Sequence, residues 1–161
     1  MLKEIEKLQT VLQQDPSNFQ ARRELSILLA REGFNEESLS NLLYLSKYFP
    51  EDAEIWYNLG IQYEKLKKFE EAKKAYKNAL EISKQADFYY NYGEVLVELN
   101  EWDEAISAFE EVLKSDIYDG NCYFNLGLCY LKKEEINKAT DFFQKAVEFL
   151  LIIFIIQSEK F

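Results

Sequence analysis

The sequence predicts an all-α protein built from antiparallel helix pairs. Three observations carry that expectation. Apolar and small residues recur at spacings of three and four, as in Trp56, Leu59, Gly60 and Tyr63, so each set falls on one helical face. The same pattern returns 33 residues on, from Trp56 to Tyr89, and 34 residues further, from Tyr89 to Tyr123. Helix breakers are scarce: 161 residues hold two prolines and five glycines, which suits helices joined by short connectors.

Taken in order, residues 2–14 form a first helix, with Leu2, Ile5, Leu8, Val11 and Leu12 on one side. Asp15-Pro16 ends it, because a residue before proline avoids the helical region. The segment 1–16 is expected to cap the edge of the next pair. Residues 19–52 form a diverged pair. Leu25, Ser26 and Leu29 stand where the later copies carry Leu, Gly and Tyr, and Gly33 turns the chain. Ser38, Leu42 and Leu45 mark the second helix, and Arg22 takes the place of Trp56, which suggests a partly exposed end.

Residues 53–85, 86–119 and 120–149 are the three well-patterned copies. In the first, Ala72, Tyr76, Ala79 and Leu80 share one face of the second helix, and LKKFEE forms a polar connector holding Phe69. Glycine inside a helix costs about 1 kcal/mol against alanine. Gly60 is therefore expected where a partner helix packs close to the backbone. Tyr89, Tyr92, Gly93 and Leu96, then Ala105, Phe109 and Val112, repeat the pattern. Tyr123, Leu126, Gly127 and Tyr130, then Ala139, Phe143 and Ala146, repeat it again. Asp116, Asp119 and Gly120 supply turn chemistry between the last two copies. About nine helices are expected. Tyr63, Phe69, Tyr76, Tyr89, Tyr92, Trp102, Phe109, Tyr123, Tyr130 and Phe143, together with Trp56, are assigned to the core.

The C-terminal stretch 150–161 reads as an apolar extension. Phe142, Phe143, Ala146, Val147, Leu150 and Phe154 are expected to continue the core face. Phe149, Leu151, Ile152, Ile153, Ile155 and Ile156 add apolar groups on the other sides. The unbroken run from Phe149 to Ile156 is eight residues, too short for a bilayer, which needs about 20. One helix cannot bury every face against one pair, so the run is expected to meet another surface. The favoured one is a second copy, with Phe149, Ile152, Ile153, Ile155 and Ile156 as the self-association set. A partner protein, a membrane interface, or the start of a missing element are the alternatives.

Composition narrows the chemistry. The formal net charge is −10, which repels phosphate backbones and argues against nucleic acid or anionic membranes as partners. Histidine is absent, which removes the commonest general base and metal ligand. Cys122 and Cys129 lie seven apart on one helix, about 10 Å at 1.5 Å per residue. They cannot pair there, and two free thiols without a secretion signal fit a cytoplasmic protein. The carboxylate pairs Glu36/Glu37, Glu70/Glu71, Glu110/Glu111 and Glu134/Glu135 point about 100° apart and read as solvated helix surfaces. No catalytic residue, metal site or cofactor is expected.

The spacings W-x2-L-G-x2-Y (Trp56, Leu59, Gly60, Tyr63) and A-x3-Y-x2-A (Ala72, Tyr76, Ala79), recurring with a period of 33–34, resemble the tetratricopeptide repeat family. That resemblance implies an α-solenoid of helix pairs, a right-handed superhelix, and a concave groove that binds proteins. It places Tyr57, Asn58, Ile61 and Lys65 on the groove in one repeat. Tyr90, Asn91, Glu94 and Glu98 occupy it in the next, then Phe124, Asn125, Leu128 and Lys132. The ladder Asn58, Asn91, Asn125 has two readings. Each amide can donate to and accept from an extended peptide backbone, or can bond a neighbouring helix. Tyr57, Tyr90 and Phe124, with Glu54, Asp87 and Asn121 nearby, occupy places where basic residues would hold a carboxylate, which argues against a carboxylate clamp. The implied role is a non-catalytic interaction scaffold that takes a neutral to basic, partly apolar peptide or helix of a partner protein. Self-assembly through the C-terminal helix is the rival.

Overall fold

The computed structural model describes residues 2–115 and 120–158, with side chains described as far as Ile156. Asp116 and Asp119 of the expected turn lie outside the described residues. Among those described there are nine α-helices and no strand: α1 (Leu2–Gln14), α2 (Phe19–Arg31), α3 (Asn35–Tyr48), α4 (Ala53–Lys65), α5 (Phe69–Ile82), α6 (Ala86–Glu98), α7 (Trp102–Leu113), α8 (Gly120–Lys132) and α9 (Ile136–Ser158). They gather into two compact units, Met1–Lys84 and Gln85–Phe161. In the first, each helix from α1 to α5 packs on the next; in the second, α6 to α9 do the same, and α6 also meets α8.

Local chemistry sets where the helices begin and turn. Asn18 caps α2 by accepting the Ala21 N–H at 3.0 Å, and Asp52 caps α4 by accepting from Glu54 and Ile55. Each pair turns the same way. Gly33, Lys67, Asn100 and Glu134 have φ of 84°, 57°, 61° and 60°. The next N–H then reaches back five residues: Phe34 to Leu29, Lys68 to Tyr63, Glu101 to Leu96 and Glu135 to Tyr130, at 2.8–2.9 Å. This left-handed closure satisfies a carbonyl that the helix end leaves open. It also shortens the expected LKKFEE connector to Leu66–Lys68, so Phe69 opens α5.

One contact rule holds the pairs together. Gly60 faces Tyr76, Gly93 faces Phe109, and Gly127 faces Phe143, each sixteen residues on. A methyl on any of the three glycines would meet a ring carbon at 2.4–2.7 Å, well inside ordinary contact. In the diverged pair Ser26 and Leu42 hold these two positions, and both are buried. The residue at the ring position there has no ring. The Ser38 hydroxyl donates to the Ser26 carbonyl at 2.9 Å, so the small polar residues inside this pair are satisfied.

The aromatic core is smaller than the sequence suggests. Tyr76, Tyr92, Phe109 and Tyr130 are buried, whereas Trp56, Tyr63, Phe69, Tyr89, Trp102, Tyr123 and Phe143 are only half-buried. The buried position on each first helix is one residue earlier than the Trp56 position: Ala21, Ile55, Phe88 and Cys122. Neighbouring helix positions differ by about 100°, so the tryptophan register sits at the edge of the packed face. Arg22 is likewise half-buried. Its guanidinium lies 3.9 Å from the Tyr44 ring centroid and donates to Asn41 Oδ1 and the Pro16 carbonyl, both at 3.0 Å. Cys122 and Cys129 are free and buried, and burial pushes the Cys129 thiol up to about 11.

α9 departs most from expectation. Ala139 and Ala146 are buried and Phe142, Phe143 and Phe149 half-buried, so these five carry the face toward α8. Val147, Leu150 and Phe154, expected on the core face, are exposed. They lie roughly 40–100° round the helix from Ala146, beyond what α8 covers.

Candidate peptide-binding face

In the first unit, α4 carries one set of the expected groove residues. Tyr57, Asn58 and Ile61 are half-buried and Lys65 is exposed, so none belongs to the core. The Tyr57 ring leans on Tyr76 with centroids 5.8 Å apart. In the second unit, α6 and α8 lie side by side and carry two sets. Tyr90, Asn91 and Glu94 on α6 are half-buried and Glu98 is exposed. On α8, Phe124 and Lys132 are exposed and Asn125 and Leu128 half-buried. Glu54, Asp87 and Asn121 at the helix starts are exposed.

The surface aromatics rest directly on the core. Tyr90 meets Phe109 at 5.8 Å between centroids, and Phe124 meets Phe143 at 5.6 Å, repeating the Tyr57–Tyr76 contact. Each of the three good repeats therefore stacks a surface ring, a core ring and a glycine. The surface ring offers one flank outward while the other is fixed. That gives an apolar ledge of low side-chain entropy, which is what a peptide seat needs.

The asparagine ladder is partly committed. Asn125 Nδ2 donates to the Tyr90 hydroxyl at 3.4 Å, a bond between neighbouring first helices. At this rung the amide spends a donor on the protein itself. The face formed by α6 and α8 thus combines carboxylates from Glu94 and Glu98, one turn apart on α6, with Phe124 and Leu128 on α8. Such an arrangement suits a ligand with one basic and one apolar edge. Among the described residues, no group of three or more metal-binding side chains occurs.

The divergent α2 also presents surface outside the expected groove set. Ile27, in the register of Ile61, is exposed, while Arg23, in the register of Tyr57, is ion-paired to Asp52 at 2.6 Å. An isoleucine on an otherwise charged helix face is the signal the sequence holds for it.

Of the self-association set, Phe149 turns inward. A methyl on Gly120 would meet its ring at 2.7 Å, so this phenylalanine fills the glycine seat at the start of α8. Ile152, Ile153, Ile155 and Ile156 are exposed. No helix among the described residues is long and apolar enough to cross a membrane.

Comparisons with known proteins agree with this architecture. Family models described as tetratricopeptide repeat match residues 53–85 and 85–151. A crystal structure of MamA is similar over 89% of this chain and 85% of that one, at 27% identity and a TM-score of 0.85. A MamA fragment from Desulfovibrio magneticus RS-1 is similar over 82% of this chain and 75% of that one, at 26% identity and 0.78. MamA from AMB-1, at 21% identity and 0.83 over 89% of this chain and 79% of that one, shares the fold. No curated protein matches the sequence.

Proposed function

The chain belongs to the tetratricopeptide repeat family, and from that premise we propose that it is a non-catalytic scaffold that holds a peptide or helix of a partner protein. Repeat scaffolds of this family bind proteins, and the finer reading concerns where and what. The seat is the α6–α8 face of the second unit, with the α4 stripe as the equivalent surface of the first. The observation that carries the reading is the recurring stack in which Tyr57, Tyr90 and Phe124 sit on core rings. It supports a rigid apolar ledge beside the Glu94 and Glu98 carboxylates. The favoured ligand is neutral to basic and partly apolar. Two buried free thiols support a reducing compartment such as the cytoplasm.

Selection of displayed random peptides on the purified chain tests this. Enriched sequences should pair Lys or Arg with aliphatic residues. Their affinity should fall about tenfold or more in Asn91→Ala/Tyr90→Ala and in Glu98→Lys, the loss expected for a central contact. Enrichment of acidic sequences, or equal binding by both variants, would remove this face as the seat.

A second reading, assembly of copies through the end of α9, is favoured by a separate observation. Leu150, Leu151, Ile152, Phe154 and Ile156 are all exposed on the same helix.

A further inference from the structure

α9 differs from the earlier second helices along one flank. In the first unit α4 packs on α3, with Leu42 and Leu45 against Ile55 and Leu59, and Ser46 is buried. In the second unit α8 packs on α7, and Leu113, at the same repeat position, is half-buried. Val147 holds that position on α9 and is 64% exposed. The flank that takes the next helix elsewhere is bare here. Leu150, Leu151 and Phe154 continue it at helical spacing, exposed by 63%, 58% and 68%. α9 has 23 residues against 13 in α8, so about ten residues, roughly 15 Å, extend past the α8 start.

We propose that the Val147, Leu150, Leu151 and Phe154 stripe seats the same stripe of a second copy, with the two α9 helices crossing about a two-fold axis. The proposal rests on the assembly reading and names its face. A stripe of aliphatic and aromatic side chains complements its own two-fold image, because each ring or branch can sit between those of its copy. The chain carries a net charge of −10, which repels a second copy over most of its surface, yet no charged residue lies between Phe149 and Ile156. An acidic protein that recognises a foreign partner gains from opposite charge at the contact; this surface offers none. Taking about 200 Å² for a fully exposed large apolar residue, the four residues of the stripe expose on the order of 500 Å². That lies in the upper part of the roughly 300–600 Å² patch of an ordinary monomer and supplies more than half of the roughly 800 Å² each partner gives a stable interface.

Sedimentation of the full chain from low to high micromolar concentration tests it, with far-UV circular dichroism as the fold control. The wild type is expected at twice 19.1 kDa at the upper end. Leu151→Lys/Phe154→Lys should be monomeric, its dissociation constant raised about a hundredfold or more, with helicity unchanged. Ile152→Lys, on the opposite side of α9, should remain dimeric. If the double variant dimerises as tightly as wild type, or Ile152→Lys is the one that dissociates, the stripe is refuted while assembly stands. If the wild type is monomeric throughout, assembly itself falls and the peptide-binding reading is untouched. A monomer that co-floats with phosphatidylcholine vesicles also overturns the proposal, because a lipid surface would then be the occupant.

Discussion

Gly93→Ala should destabilise the second unit although alanine is the better helix former. The new methyl would lie 2.7 Å from Phe109 Cε1, 2.8 Å from Cζ and 3.0 Å from Cδ1. Ordinary contact begins near 3.4 Å, so the ring must retreat by about 0.7 Å. Phe109 is fully buried and also packs against Tyr90, so its retreat must displace a neighbour. Alanine's helix preference contributes about 1 kcal/mol in the opposite direction. Overpacking a core by one methyl costs more than that here, and the net loss should be about 1–3 kcal/mol. Trp102 lies in the second unit and Trp56 in the first. Urea unfolding read by fluorescence in a Trp56→Phe background therefore reports on the unit in question. The double variant Gly93→Ala/Phe109→Leu reproduces the Ser26–Leu42 arrangement, and its loss should be smaller than the sum of the two single losses by about 1 kcal/mol. A midpoint that rises for Gly93→Ala, or strict additivity in the double variant, would refute the argument.

Other residues give four more expected outcomes. Gln62 is 2% exposed, its Oε1 has no hydrogen-bond partner among the described residues, and Val95 and Cys129 hold its repeat position; Gln62→Leu should raise stability by about 1–2 kcal/mol in thermal unfolding. Lys67→Gly and Glu134→Gly should each stabilise by about 0.5–1 kcal/mol by relieving a left-handed backbone, whereas Gly33→Ala should destabilise by a similar amount, as urea titration can show. The Tyr92 phenol is held above its ordinary 10.0, first by burial and then by donating to Glu104 at 2.5 Å. The folded state keeps that proton longer, so its stabilisation is complete below pH 10 and declines as pH rises above it; Tyr92→Phe should flatten that alkaline decline. Tyr90→Phe removes the acceptor of the Asn125 bond while keeping the ring on Phe109, so melting should shift little and any change in peptide affinity reports on the amide.

Much of the fold is legible in the sequence because the repeat fixes register. The 33- and 34-residue offsets place each glycine opposite a residue sixteen further on, and the structure finds a ring there in the three good copies. Depth is less legible. Period identifies a face and not how far each residue penetrates it, so the pattern points Tyr89 to the core while its neighbour Phe88 is the buried one. The motif's tryptophan position lies one residue off the inward direction. The same limit applies to Val147, Leu150 and Phe154. Leu150 and Phe154 keep helical spacing with Ala146 but lie past the α8 start, Val147 lies about 100° round from it, and no sequence period records where a neighbour stops. The candidate groove positions fall on a coherent face within each unit. The bond from Asn125 to Tyr90 depends on the distance between two helices, which spacing along one helix does not encode.

In the proposed seat, recognition and stability would be coupled. Tyr90 rests on Phe109, and Phe109 fills the space that Gly93 leaves. A substitution that trims the surface ring removes support from a core ring, so a lost interaction and a loosened helix pair would look alike in a capture assay. Asn91 and Glu98 sit on the same helix as Tyr90 and outside the core. Glu98 is exposed, so changing it alters charge at the face with little packing cost. The stack would also let the proposed seat be selective. Tyr90 and Phe124 are held by core rings on α6 and α8, so a ligand there would meet apolar ledges at a spacing set by helix packing and not by side-chain motion. On the proposed reading, selectivity lies in the ligand's spacing of apolar groups, with the Glu94 and Glu98 carboxylates setting which edge lies along α6.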